Sequence, residues 1–104
     1  MSDRPWKQEE RAVAALIGGR RHPANQGGAV DVESSWLCVQ VKHRRVCSLA
    51  ELEALALEAE RQGQQRNKVG VVVVKRRAGK GTRTPRLLVL TEAMWTAMSG
   101  RLPG

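Results

Sequence analysis

Apolar positions recur at helical spacing from the start of the chain. Trp6, Ala12, Val13, Leu16 and Ile17 fall on one face between Pro5 and Ile17, and Gly18-Gly19 end the run. The pattern predicts a first helix over 5–17. The stretch GGRRHPANQGG, 18–28, holds four Gly and one Pro without periodicity and reads as a surface loop. Residues 29–32 and 36–42 then read as two strands around the polar turn Glu33-Ser34-Ser35, a hairpin. Ser48 followed three residues later by Glu51 has the form of a capping box. Leu49, Leu52, Leu55, Ala56 and Ala59 mark one face of the second helix, which Gly63 is expected to end. The aliphatic runs 69–74 and 87–90 suit strands covered on both faces, so both are expected inside the sheet. Thr91 caps a short last helix whose Met94, Trp95 and Met98 are expected to pack on the sheet, and the tail from 100 to 104 is expected to fray.

The order helix, two or three strands, helix, strand, strand, helix makes a single α/β domain: a mixed central β-sheet with helices on both sides. A length of 104 residues at 41% apolar supports one modest core and excludes a two-domain enzyme. No apolar run approaches the ~20 residues of a membrane helix, and none follows the charged N-terminus, so the chain is expected to be neither membrane-spanning nor secreted. Cys38 and Cys47 are too few for a disulfide framework and lack CxxC spacing. His22 and His43 do not pair with them as ligands, so zinc is not expected. An intracellular, cytoplasmic setting follows.

Charge sharpens the picture. Eighteen Lys and Arg against ten Asp and Glu give +8, and an excess of that size on a small body points to a polyanion, nucleic acid above all. The basic residues fall into three groups: Arg20 and Arg21; Lys42, His43, Arg44 and Arg45; and the segment KRRAGKGTRTPR, 75–86, with six cations and no acid. That last segment is expected to be an exposed basic loop. With Phe and Tyr absent, there is little material for base-stacking platforms. Contact is therefore expected through phosphates, with Arg20, Arg21, His43, Arg44, Arg45, Lys75, Arg76, Arg77, Lys80 and Arg83 as the DNA-binding candidates.

Strand alternation puts Gln40 and Lys42 on one face and Val39 and Val41 on the other. With Asp31 on the neighbouring strand, a carboxylate, an amide and an ammonium form a cluster able to hold a hydrated divalent cation beside a phosphate. Phosphodiester hydrolysis uses such a cluster: the metal polarises the phosphoryl oxygen and activates water, and the Lys stabilises growing negative charge. The Val41 carbonyl adds a hard oxygen.

Asp31, Gln40 and Lys42, preceded by a helix with Glu10 and a Gly-rich loop, resemble the PD-(D/E)XK nuclease superfamily. More narrowly, WKQEERAVAALIGGRRHPANQGGAVDV followed by WLCVQVKHRR is similar to small Holliday junction resolvases of the archaeal and phage type, over Trp6 to about Leu90. The resemblance implies a restriction-endonuclease-like αβββαβ core and a site of Glu10, Asp31, Gln40 and Lys42. It implies Mg²⁺, or Mn²⁺, on Asp31, Gln40, Val41 and Glu10, and no small-molecule cofactor. Branched or duplex DNA is the implied partner, and symmetric cutting of two strands implies a homodimer. Glu9 is a rival for the role of Glu10, which the family pattern favours because it directly precedes Arg11. Gln40 stands where most members have an acid, although Mrr-like restriction nucleases also have QxK there. Glu33, two residues from Asp31, is a second source of the missing carboxylate. Trp6, Trp95 and Met98 are interface candidates, and Trp36 is expected in the core. Two other readings remain: a noncatalytic DNA-binding protein with a nuclease fold, and the nuclease module of a restriction or repair system.

Overall fold

A computed structural model describes residues 5–21, 30–79 and 81–100. Its elements are α1 (Pro5–Ile17), β1 (Arg20–Arg21), β2 (Val32–Glu33), β3 (Leu37–Arg44), α2 (Leu49–Arg66), β4 (Val69–Arg76), β5 (Arg86–Val89) and α3 (Glu92–Ser99). The five strands form one mixed sheet in the order β1-β2-β3-β4-β5. β3 and β4 run parallel over Leu37–Val69 to Arg44–Arg76, and the other neighbours are antiparallel.

Side-chain alternation sorts the helices onto two faces. Val39, Val41 and Val73 meet Val13 and Ala14 of α1, and Val69 and Val71 meet Met94 of α3. Val72 and Val74 meet Ala59 of α2, with Leu52 and Leu55 beside them. The odd-numbered side of β3 and β4 therefore lies under α1 and α3, and the even-numbered side under α2.

Helix ends follow local chemistry. Chain reversal after α1 uses Gly18 at φ +66. The Ser48 hydroxyl accepts from the Glu51 amide at 3.1 Å, and Glu51 accepts from the Ser48 amide at 3.4 Å, completing the expected capping box. α2 does not end at Gly63. It continues to Arg66 and stops at Asn67, which takes the left-handed conformation at φ 55. Gly63 serves packing instead: a Cβ there would lie 2.6 Å from both the Gly70 amide nitrogen and the Lys68 carbonyl oxygen.

Other expectations are corrected. The segment 18–28 reads as loop throughout, yet Arg20–Arg21 pairs with β2; residues 22–29, His22 among them, lie outside the described residues. The basic segment is shorter as a loop than expected, because Lys75 and Arg76 extend β4 and Arg86 opens β5. The 87–90 run is not inside the sheet: β5 is its edge, leaving Leu87 and Leu88 53% and 61% exposed. Met94 is buried and Met98 packs beside it, but Trp95 points outward, 54% exposed. Trp36 joins that cluster, as expected. The Trp6 side chain and residues 101–104 lie outside the described parts. No described helix is long and apolar enough to cross a membrane.

Candidate metal and nucleic-acid site

The hairpin places Asp31 where β2 leaves its ladder. The last paired residues are Val32 and Val39, and the Asp31 amide still donates to the Val39 carbonyl at 2.9 Å. The Asp31 carboxylate then takes over the role of a backbone carbonyl: the Val41 N–H donates to its Oδ2 at 2.8 Å. An N–H and C=O of one strand residue point to the same edge, so the Val41 carbonyl faces the side on which Asp31 sits. Asp31 and Val41 are thus brought together, on the residue between Gln40 and Lys42.

Gln40 and Lys42 project from the even face of β3, in register with Val72 and Val74. The sequence pattern suggested a polar pair facing outward. Both faces are covered, however, so Gln40 is 3% exposed and Lys42 half-buried. The Gln40 side-chain nitrogen has no hydrogen-bond partner. Most buried polar groups have one, so Gln40 is an exception among the described residues.

Glu9 and Glu10 are both buried at 6% exposure, on the helix that covers the opposite face. The sheet stands between α1 and the Gln40–Lys42 face, so Glu10 does not share that face. Glu9 is taken up by a structural clamp: it accepts from Arg86 and lies 3.7 Å from Lys75. A separation of 77 residues hides that clamp from sequence reading. Glu33 is held elsewhere as well, 2.5 Å from Lys68 and 3.9 Å from Arg66 at the N-terminal end of β4, so it does not supply the missing carboxylate. Among the described residues, no three His, Cys, Asp or Glu side chains converge as a metal cage.

Cations gather at the C-terminal ends of β3 and β4. Their register pairs Lys42 with Val74, His43 with Lys75 and Arg44 with Arg76. Arg44 is held by Glu51 at 3.2 Å, while Arg45, Arg76, Arg77 and Arg83 are exposed. His43 is half-buried on the α1 side. Burial pushes its pKa below the usual value, Glu9 pulls it back up, and Arg77 and Lys75 add to the fall. Arg20 is exposed but lies toward the other end of the sheet, opposite Glu33, and does not join this rim. The Arg21 side chain and Lys80 lie outside the described residues.

Compared with known proteins, the chain matches no family model, and no curated protein or solved structure matches it.

Proposed function

We propose that the chain is a metal-dependent, structure-selective DNA endonuclease with a restriction-endonuclease-like fold, and more narrowly a homodimeric Holliday junction resolvase acting inside the cell. One observation carries the reading: the Asp31 carboxylate accepts from the amide of Val41, the residue between Gln40 and Lys42, at 2.8 Å. The element order supports it. α1, three antiparallel strands, α2 and a parallel fourth strand follow the αβββαβ order of PD-(D/E)XK nucleases.

Mg²⁺ asks for hard oxygens and keeps several waters, so one or two carboxylates beside a substrate phosphate suffice. Asp31, the Val41 carbonyl and the Gln40 amide oxygen fit that demand, with Mn²⁺ as a substitute, and Glu10 on α1 is the further carboxylate that the resemblance implies. The bound ion would polarise the phosphoryl oxygen and lower the pKa of the attacking water. Asp31 is fixed in place by the Val41 amide, which orients its carboxylate without a second side chain. Lys42 stabilises the charge that builds on the phosphate. His43, Arg44, Arg45, Lys75, Arg76 and Arg77 hold the DNA backbone, which positions the substrate without reading its bases. Selectivity for branched over duplex DNA then comes from shape.

A second reading rests on a specific observation. Gln40 is neutral and α1, which carries Glu10, packs on the other face of β3, as suits a DNA-binding protein that kept the fold and lost cleavage. One experiment separates the two. A labelled four-way junction and a duplex of the same sequence are incubated with Mg²⁺, Mn²⁺ or EDTA, using wild type and Asp31→Asn. Paired metal-dependent nicks near the branch point, lost in the variant, support the resolvase. Equal cutting of the duplex points to a restriction or repair nuclease module. Tight binding without cutting in either metal refutes catalysis.

A further inference from the structure

The outer face of α2 is a surface the nuclease site does not use. Its inner face packs Leu52, Leu55 and Ala59 on the sheet. Outside, Ala50, Glu53, Ala54, Leu57, Arg61 and Gln64 are all exposed, and their spacing places them in one stripe. Such a stripe is normally polar. Here Leu57 stands at its centre, 51% exposed, with two alanines on one side. A groove of about 270 Å³ runs beside it between α2 and β5, lined by Leu49, Leu52, Ala56, Leu57, Val89 and Leu90. Leu49 and Leu87, both exposed, extend the apolar surface. A patch of this kind marks an interaction site.

We infer that this face joins two copies of the chain, with their α2 helices antiparallel about a two-fold axis at Leu57. The sequence of the stripe selects a second copy over any other occupant. Glu53 lies four residues before Leu57 and Arg61 four after. In an antiparallel pair centred on Leu57, Glu53 of each copy therefore faces Arg61 of the other, and the two-fold axis makes that match twice. Ala50 and Ala54 let the helices approach closely, and the two Leu57 side chains meet at the axis. Arg61 is free to turn outward, because its pairing with Glu58 at 2.5 Å is an exposed one worth little. Charge over the whole molecule agrees. The chain carries +8, yet α2 holds Glu51, Glu53, Glu58 and Glu60 against Arg61 and Arg66, so this helix is net acidic on a basic molecule.

The inference rests on the resolvase reading for its purpose, since two cuts need two sites. Each α2 begins just after β3, at the end that bears Lys42. Leu49 lies eight residues before the axis, which sets the two candidate sites roughly 24 Å apart along the helices.

Sedimentation equilibrium of the full chain across the micromolar range tests it. Wild type is expected to be a dimer and Leu57→Glu a monomer with an unchanged far-UV circular-dichroism spectrum, because the position is exposed within the single chain and the fold does not need it. Glu53→Arg and Arg61→Glu should each weaken the dimer about tenfold, and the double exchange should restore it, a rescue that a merely structural role would not give. A monomeric wild type, a dimer indifferent to Leu57→Glu, or a double variant no better than the singles overturns the interface. Failure of the functional reading looks different: a dimer with this behaviour that never cuts junctions keeps the interface and removes the resolvase. A monomer that still nicks them removes the interface alone.

Discussion

Gln40 concentrates the tension between stability and chemistry in one side chain. Its buried nitrogen lacks a partner, and an unmet buried polar group costs about 1–3 kcal/mol. Methionine has similar length and no such need. Gln40→Met should therefore raise stability by about 1 kcal/mol, a gain of roughly 4–8 °C in a domain of this size, while abolishing cleavage. An unchanged melt would show that the amide finds a partner in solution. Gln40→Glu should act the other way: it adds a second carboxylate beside Asp31, so half-maximal cleavage should need about tenfold less Mg²⁺ at some loss of stability. A titration that shows no shift in the Mg²⁺ requirement would remove Gln40 from the ligand set. His43 gives the pH counterpart. Its folded pKa lies below the unfolded value near 6.5, so the unfolded chain binds the proton first as pH falls. Its contribution is complete above about pH 6.5 and is lost as pH drops through the folded value. Melting temperatures should decline between pH 7 and 5, and His43→Asn should flatten that decline. The strand alternation of Gln40 and Lys42 was legible in sequence. Their burial was not, because alternation says which residues share a face and not whether a helix covers it.

Elements are held by contacts of very different range, and this decides which of them could be read beforehand. α1 was legible to its ends because its apolar spacing and Gly18 are both local signals. The α2 start was equally plain, and Ser48→Ala should cost about 1 kcal/mol by thermal melt, since the hydroxyl caps the Glu51 amide. Gly63 reads as its end and is not, because glycine there answers a distant need. β4 passes so close that a Cβ on Gly70 would lie 1.7 Å from the Ala59 carbonyl oxygen, and this backbone cannot yield without separating α2 from the sheet. Gly70→Ala should therefore destabilise by more than about 3 kcal/mol, and a variant that melts like wild type would refute this account of the packing. β5 failed for another reason. A run of leucines signals a strand but carries no record of which of its edges is paired, so Leu87 and Leu88 read as interior although they line the sheet's outer edge.

At the scale of the whole molecule, the parallel pairing of β3 with β4 gathers charges that sequence leaves 30 residues apart. Lys42 through Arg45 and Lys75 through Arg77 end side by side, whereas Arg20, grouped with them on composition alone, lies toward the other end of the sheet. The rim's acids are already committed, Glu51 to Arg44 and Glu9 to Lys75 and Arg86. Arg76 and Arg77 are exposed and neither forms an ion pair among the described residues, so they are the cations most available to a phosphate chain. Each phosphate neutralised contributes about −0.9 to the slope of log K against log salt on duplex DNA. Replacing both Arg76 and Arg77 with Gln should reduce the magnitude of that slope by about 2 for an uncleaved junction bound in EDTA. Replacing Arg20 with Gln should leave the slope within error. The same measurement on Asp31→Asn separates holding from cutting, since loss of one carboxylate removes catalysis and relieves repulsion toward phosphate, giving binding at least as tight as wild type. A slope that responds to Arg20 and not to Arg76 and Arg77 would move the DNA to the opposite end of the sheet, away from Asp31 and Lys42, and would remove the nuclease site with it.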